Sequence, residues 1–185
     1  MIFGDHVRLA PDAEPAAWLT DTVSVERWTV GGLLPPFERY LEVAAASADA
    51  EDWWGAQREI VATIAEVAAR FTDTPDRTWF AIWEGHGFAT DTLRDVPSVD
   101  LPHRRYLLLS GAVTDVVHLR WPGDPDRWFR PDLWWPDDRQ WFVATDVDFW
   151  RTYVGGSQAL CDAIAARLPD LCRPVTADEP LPVED

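Results

Sequence analysis

RQWFVATDVDFWRTYVGGS, residues 139–157, decides the fold. Its two halves, RQWFVATDVD (139–148) and WRTYVGGS (150–157), are rich in aromatic and β-branched residues and read as a β-hairpin. Ser157 then caps SQALCDAIAARL, a helix that buries Leu160, Ile164 and Leu168. Upstream, TWFAIW (78–83) is a compact strand closed by the turn-forming EGHG, and YLLLSG (106–111) is a buried strand beyond a polar loop at 88–103. The longest helix runs from about Glu51 to Phe71. It carries acids in its first turn and places Trp53, Ile60, Ile64, Val67 and Phe71 at three- to four-residue spacing. VSVERWTV (23–30) reads as a strand ending at Gly31-Gly32. FERYLEVAAA, from Phe37, alternates like a strand but ends in helix-favouring alanines, and AVTDVVHL (112–119) leans towards helix. WPGDPDRWFRPDLWWPDD (121–138), with four prolines and one glycine, reads as an irregular aromatic loop. Grouped strands with few helices define an α+β fold: a mostly antiparallel sheet with a long helix and a C-terminal helix packed on one face.

A chain of 185 residues suits one domain, expected here over 1–185 with loose tails at about 1–15 and 174–185. The apolar fraction of 47% excludes wholesale disorder. Thirty-two acids face sixteen bases, all arginine, for a net charge of −16. That balance argues against nucleic acid and against anionic membrane surfaces, since both partners need basic groups, and it would attract a basic protein. No apolar run is long enough to span a bilayer, and the N-terminus lacks the pattern of a signal peptide, so the cytoplasm is the expected compartment. Cys161 and Cys172 have neither disulfide-framework nor zinc-ligand spacing and read as free thiols.

No phosphate loop, dinucleotide fingerprint, HExxH or GxSxG motif is present. His6, His86, His103 and His118 are scattered without metal-ligand spacing, so no cofactor and no metal are assigned. His86 stands out slightly, because it sits in a tight turn with Glu84. The densest chemistry lies in LWWPDDRQWFVATDVDFWRTYVGGS, where Asp137, Asp138, Arg139, Asp146, Asp148, Arg151 and Tyr153 stand among tryptophans. On a strand, Asp146 and Asp148 share a face and form either a cation or acid–base pair, or a capped hairpin end. Trp134 and Trp135 serve either as a recognition surface or as a lid over the core. The Gly-Gly-Ser before the last helix reads as a turn with a serine cap.

WFAIWEGHG, RRYLLLSG and LWWPDDRQWFVATDVDFWRTYVGGS with its closing helix resemble a family of uncharacterised actinobacterial proteins, over roughly residues 33–168. That resemblance supplies no catalytic residues. The order of elements is also loosely similar to the SUKH superfamily, whose α+β members include toxin-binding immunity proteins, although the usual N-terminal helix with its tryptophan–glycine pair is not evident. The resulting expectation is a non-enzymatic interaction protein with an acidic surface that meets a basic partner. The alternative is an enzyme or small-molecule binder with an Asp/Trp-lined pocket.

Overall fold

The computed structural model describes residues 3–23, 28–47, 51–87, 93, 96–101, 104–145 and 151–182. Along the chain run β1 (Arg8–Leu9), α1 (Leu19–Thr22), α2 (Val30–Leu33), β2 (Arg39–Val43), α3 (Trp53–Ala68), β3 (Thr78–Trp83), β4 (Ser98–Leu101) and β5 (Arg104–Gly111). There follow β6 (Arg120–Trp121), β7 (Asp124–Trp128), β8 (Leu133–Pro136), β9 (Phe142–Thr145), β10 (Thr152–Gly156), α4 (Gln158–Arg167) and β11 (Cys172–Val175). Short 3-10 turns cover Glu14–Ala16, Glu84–His86 and Val113–His118.

Nine strands form one sheet in the order β1-β5-β3-β8-β9-β10-β2-β11, with β4 also paired to β5; β6 and β7 make a separate hairpin. Every pairing in the sheet is antiparallel. Successive side chains on a strand point to opposite faces, and here both faces are buried. Phe80, Ile82, Leu107, Leu109, Trp134, Val143 and Val154 meet Ile60 and Ile64 of α3 and Leu160 and Ile164 of α4. Trp79, Ala81, Leu108, Leu133, Trp135, Phe142 and Tyr153 meet Leu19, Val30, Leu34 and Leu181 on the opposite side. Two-sided burial is why TWFAIW and YLLL are continuous apolar runs instead of alternating ones.

The α+β architecture expected from the hairpin is present, and α3 and α4 pack side by side on one face of the sheet. Asp52 caps α3 by accepting from the Gly55 amide at 2.9 Å, and Ser157 caps α4 by accepting from Leu160 at 3.2 Å. FERYLEV resolves as a strand, while AVTDVVHL becomes a 3-10 turn.

Four expectations are corrected. The polar loop expected over 88–103 carries β4, which pairs with β5, and much of the rest of it lies outside the described residues. The described parts of the tails are packed: Phe3 and Val7 are buried, β1 pairs with β5, and β11 pairs with β2. Leu181 is buried, and the Val30 and Gly31 amides donate to Glu179 and Ala177. The 121–138 segment is largely ordered strand, because its prolines fall at strand ends, hairpin turns and an edge, where no ladder amide is lost. The strand expected over 23–30 lies partly outside the described residues; Val23 ends α1 and Val30 opens α2.

Trp135 is fully buried, whereas the Trp28 indole is 53% exposed. Trp135→Ala is expected to cost about 3–5 kcal/mol in urea unfolding, and Trp28→Ala about 0.5 kcal/mol.

Candidate functional site

A buried carboxylate, Asp132, lies one residue before β8. Its backbone is locked on both sides: its amide donates to Ala81 at 3.0 Å, and its carbonyl accepts from Thr145 at 2.7 Å. The side chain, on a residue only 4% exposed, accepts from the Trp83 amide at 2.7 Å and from His86 Nε2 at 3.0 Å. An ionised carboxylate can only accept, so His86 donates from Nε2. His86 is delivered by the 3-10 turn that follows β3, and Gly87 ends that turn at φ 85°, a left-handed conformation that suits glycine.

Asp132 and His86 border a cavity of about 210 Å³ whose other walls are Trp54, Trp121, Phe129, Arg127 and Arg130. Arg127 lies over the Trp121 ring at 4.0 Å, a cation–π contact. Desolvation pulls the Arg130 guanidinium down to about 10, against the opposing pull of Asp132, so it stays charged at neutral pH. In a chain of net charge −16, this hollow gathers two cations around one carboxylate between aromatic walls.

Of the residues singled out in the sequence, His86 belongs to this cavity. Glu84 is beside it, 3.6 Å from Arg105. Trp134 and Trp135 are core, so the recognition-surface reading gives way. They lie on one strand, and adjacent residues there must face opposite sides, each of which is a core. Asp137 accepts from Arg77 at 2.9 Å and from the Trp79 indole at 3.0 Å; Asp138 accepts from the Thr72 hydroxyl at 2.8 Å and the Asp73 amide at 2.7 Å. Both pin the β8–β9 turn to the loop after α3. Arg139 sits in that turn at φ 57°, with its guanidinium 5.0 Å from the Trp18 ring. Asp146 and Asp148 lie outside the described residues. Arg151 pairs with the buried Glu42, which Arg173 also bonds at 2.6 Å, and Tyr153 places its hydroxyl 3.5 Å from the same carboxylate. Burial, then the Glu42 charge, pushes the Tyr153 phenol up to about 12. This group clamps β2, β10 and β11 together.

Asp132, Arg130, Arg127 and Trp54 were not anticipated from the sequence. The available signal was WF-RPD-LWW, charges set inside an apolar run, which only makes sense if those charges have buried partners. Among the described residues, one group could hold a metal ion: His6, Asp115 and His118. Burial, then the neighbouring His6, lowers the His118 pKa below its ordinary value. No described helix is long and apolar enough to cross a membrane.

In comparison with known proteins, the chain matches no protein-family model, no curated protein and no solved structure. Fold and site alone define its class: an antiparallel α+β protein with a charged, indole-walled cavity at one end of its central strands.

Cys161 and Cys172 are free, and burial pushes both thiols up to about 11. A thiol raised in this way stays protonated at neutral pH, and the thiolate is the nucleophile. Iodoacetamide at pH 7.5 should therefore label the native chain far more slowly than the unfolded one, with the native rate climbing only as the pH passes 10.

Proposed function

We propose that the protein binds a small anion with a flat apolar body in the Asp132 cavity. The supporting observation is the cavity's lining: Arg127 and Arg130 stand beside Asp132 and its hydrogen-bonding neighbour His86, between indole walls. Taking charge out of water is costly unless it is paired, and guanidinium groups lining a half-enclosed site favour an incoming carboxylate. Arginine suits that role because its planar fork meets a carboxylate through two hydrogen bonds. Trp54, Trp121 and Phe129 supply faces and edges for a flat body. A volume of about 210 Å³ lies below the roughly 300–1,000 Å³ of sites for drug-sized ligands, which keeps the ligand small. The fixed Asp132–His86 pair also provides a proton acceptor beside the ligand. Cytoplasmic residence belongs to the same reading.

The test is thermal unfolding with millimolar 4-hydroxybenzoate against its neutral analogue 4-hydroxybenzamide. The acid should raise Tm: about 2.7 kcal/mol of stabilisation at a hundredfold excess over Kd. The amide should not, and Arg127→Gln and Arg130→Gln should each remove the effect. Equal shifts from acid and amide, or no loss in the variants, would exclude this site.

A second reading, a basic protein partner, is supported by the charge of −16. With Trp134 and Trp135 in the core, its anchor would be the exposed Trp54. A tagged chain should then retain a basic protein from lysate at low salt and release it at high salt, and Trp54→Ala should weaken capture without lowering Tm.

A further inference from the structure

The 3-10 turn Val113–His118 carries Asp115 and His118 three residues apart. A 3-10 helix has three residues per turn, so these two side chains stack on one face. His6 arrives from the N-terminal segment, more than a hundred residues earlier, and lies between two anchors. On one side, the Arg120 amide donates to the Phe3 carbonyl at 3.0 Å; on the other, Arg8 and Leu9 pair with Ser110 and Leu109 of β5. The approach requires Gly4, which has φ 110°, and a Cβ there would meet the His118 carbonyl at 2.6 Å. The result is two imidazoles stacked with ring centroids 4.1 Å apart, and His6 Nδ1 3.6 Å from Asp115 Oδ1.

We propose that His6, His118 and Asp115 form a binding site for a divalent transition metal ion of the zinc class. One ligand atom from each of the three lies within 4.8 Å of the others. Around a zinc ion, with bonds of about 2.0–2.2 Å, ligand atoms stand roughly 3.4 Å apart. The closure required falls to His6, whose side chain is 57% exposed and able to rotate. Two imidazoles and one carboxylate suit zinc, iron, nickel or copper and disfavour calcium and magnesium, which take all-oxygen sites. Asp115 is already oriented: its Oδ2 accepts from the Ala112 amide at 2.7 Å, which leaves Oδ1 facing His6.

His6 and His118 line a hollow of about 510 Å³ together with Asp5, Asp124 and Arg120. The hollow leaves room for water at the remaining coordination positions. Its two further carboxylates make the local field attractive to a cation. Arg120 opposes that field, yet its Nη1 is engaged with the carbonyls of Leu119 at 2.9 Å and Val117 at 3.1 Å. The site is separate from the Asp132 cavity, with Trp121 lining both hollows.

The test titrates the chelator-stripped full chain with Zn²⁺ against a chromophoric competitor, and repeats the titration with Ca²⁺ and Mg²⁺. One equivalent of Zn²⁺ should bind, without displacement by excess Ca²⁺. His6→Ala and His118→Ala should each weaken Zn²⁺ binding at least about tenfold, the loss that even outer-shell changes produce. Cobalt should give a visible absorption band that is lost in the same variants. His86→Ala should leave Zn²⁺ binding unchanged. His6 is exposed, so His6→Ala tests the site without threatening the fold. Zn²⁺ binding that is absent, equally strong in His6→Ala, or matched by Ca²⁺ would overturn the proposal and place any bound ion on the acidic surface.

Discussion

Trp134 and Trp135 are neighbours on β8 and therefore face opposite sides of the sheet, and each is buried. Trp134 meets Trp141 edge-on at 5.2 Å and Phe80 at 6.4 Å; Trp135 stacks on Phe142 at 5.5 Å and meets the edge of Trp18. One dipeptide thus seeds both cores. A sheet that must be covered twice needs a layer on each side. Helices α3 and α4 provide one, and the N-terminal segment with the residues around Leu181 provides the other. The described residues from Ala10 to Leu34, with Val175 and Leu181, are therefore structural parts of the second layer, whereas Phe3 and Val7 join the first.

Burying both faces leaves little room for charge inside, and the two acids buried there among the described residues, Glu42 and Asp132, take different partners. Glu42 is held by two half-exposed arginines at the far end of the sheet and closes on itself as a clamp across three strands. Asp132 is held by a backbone amide and a histidine, with a desolvated arginine nearby and open space beside it. Removing one partner of a buried ion pair destabilises a fold, but a saturated clamp has no capacity left for a ligand. The geometry therefore separates the structural cluster from the site.

Local patterns were readable in the sequence wherever one physical rule dominated. TWFAIW at 78–83 coincides with β3, the hairpin with β9 and β10, and the serine cap with the start of α4. The 121–138 stretch misled because proline count speaks for loops, while the placement of Pro131 ahead of β8 and of Pro136 at its end is a tertiary matter. His86 drew notice through its tight turn, but its partner Asp132 lies 46 residues away in sequence, just ahead of β8. His6 and His118 show the same limit more sharply. Ligand-spacing rules see neighbours in sequence, and only the pairing of β1 with β5 brings the N-terminal segment beside the 3-10 turn.

Strand β2 sits between β10 and β11. Tyr40 pairs with Gly155 on one side and Val175 on the other, so both neighbours emerge more than a hundred residues later in synthesis. During translation β2 must wait unladdered, its Leu41 and Val43 uncovered, while β3 and β5 are already available to pair. Such long-range closure is entropically late and makes folding slow, and it exposes a sticky edge in the meantime. The dense negative charge of the chain then has a kinetic use: mutual repulsion between half-finished copies keeps that waiting strand from pairing with the wrong one.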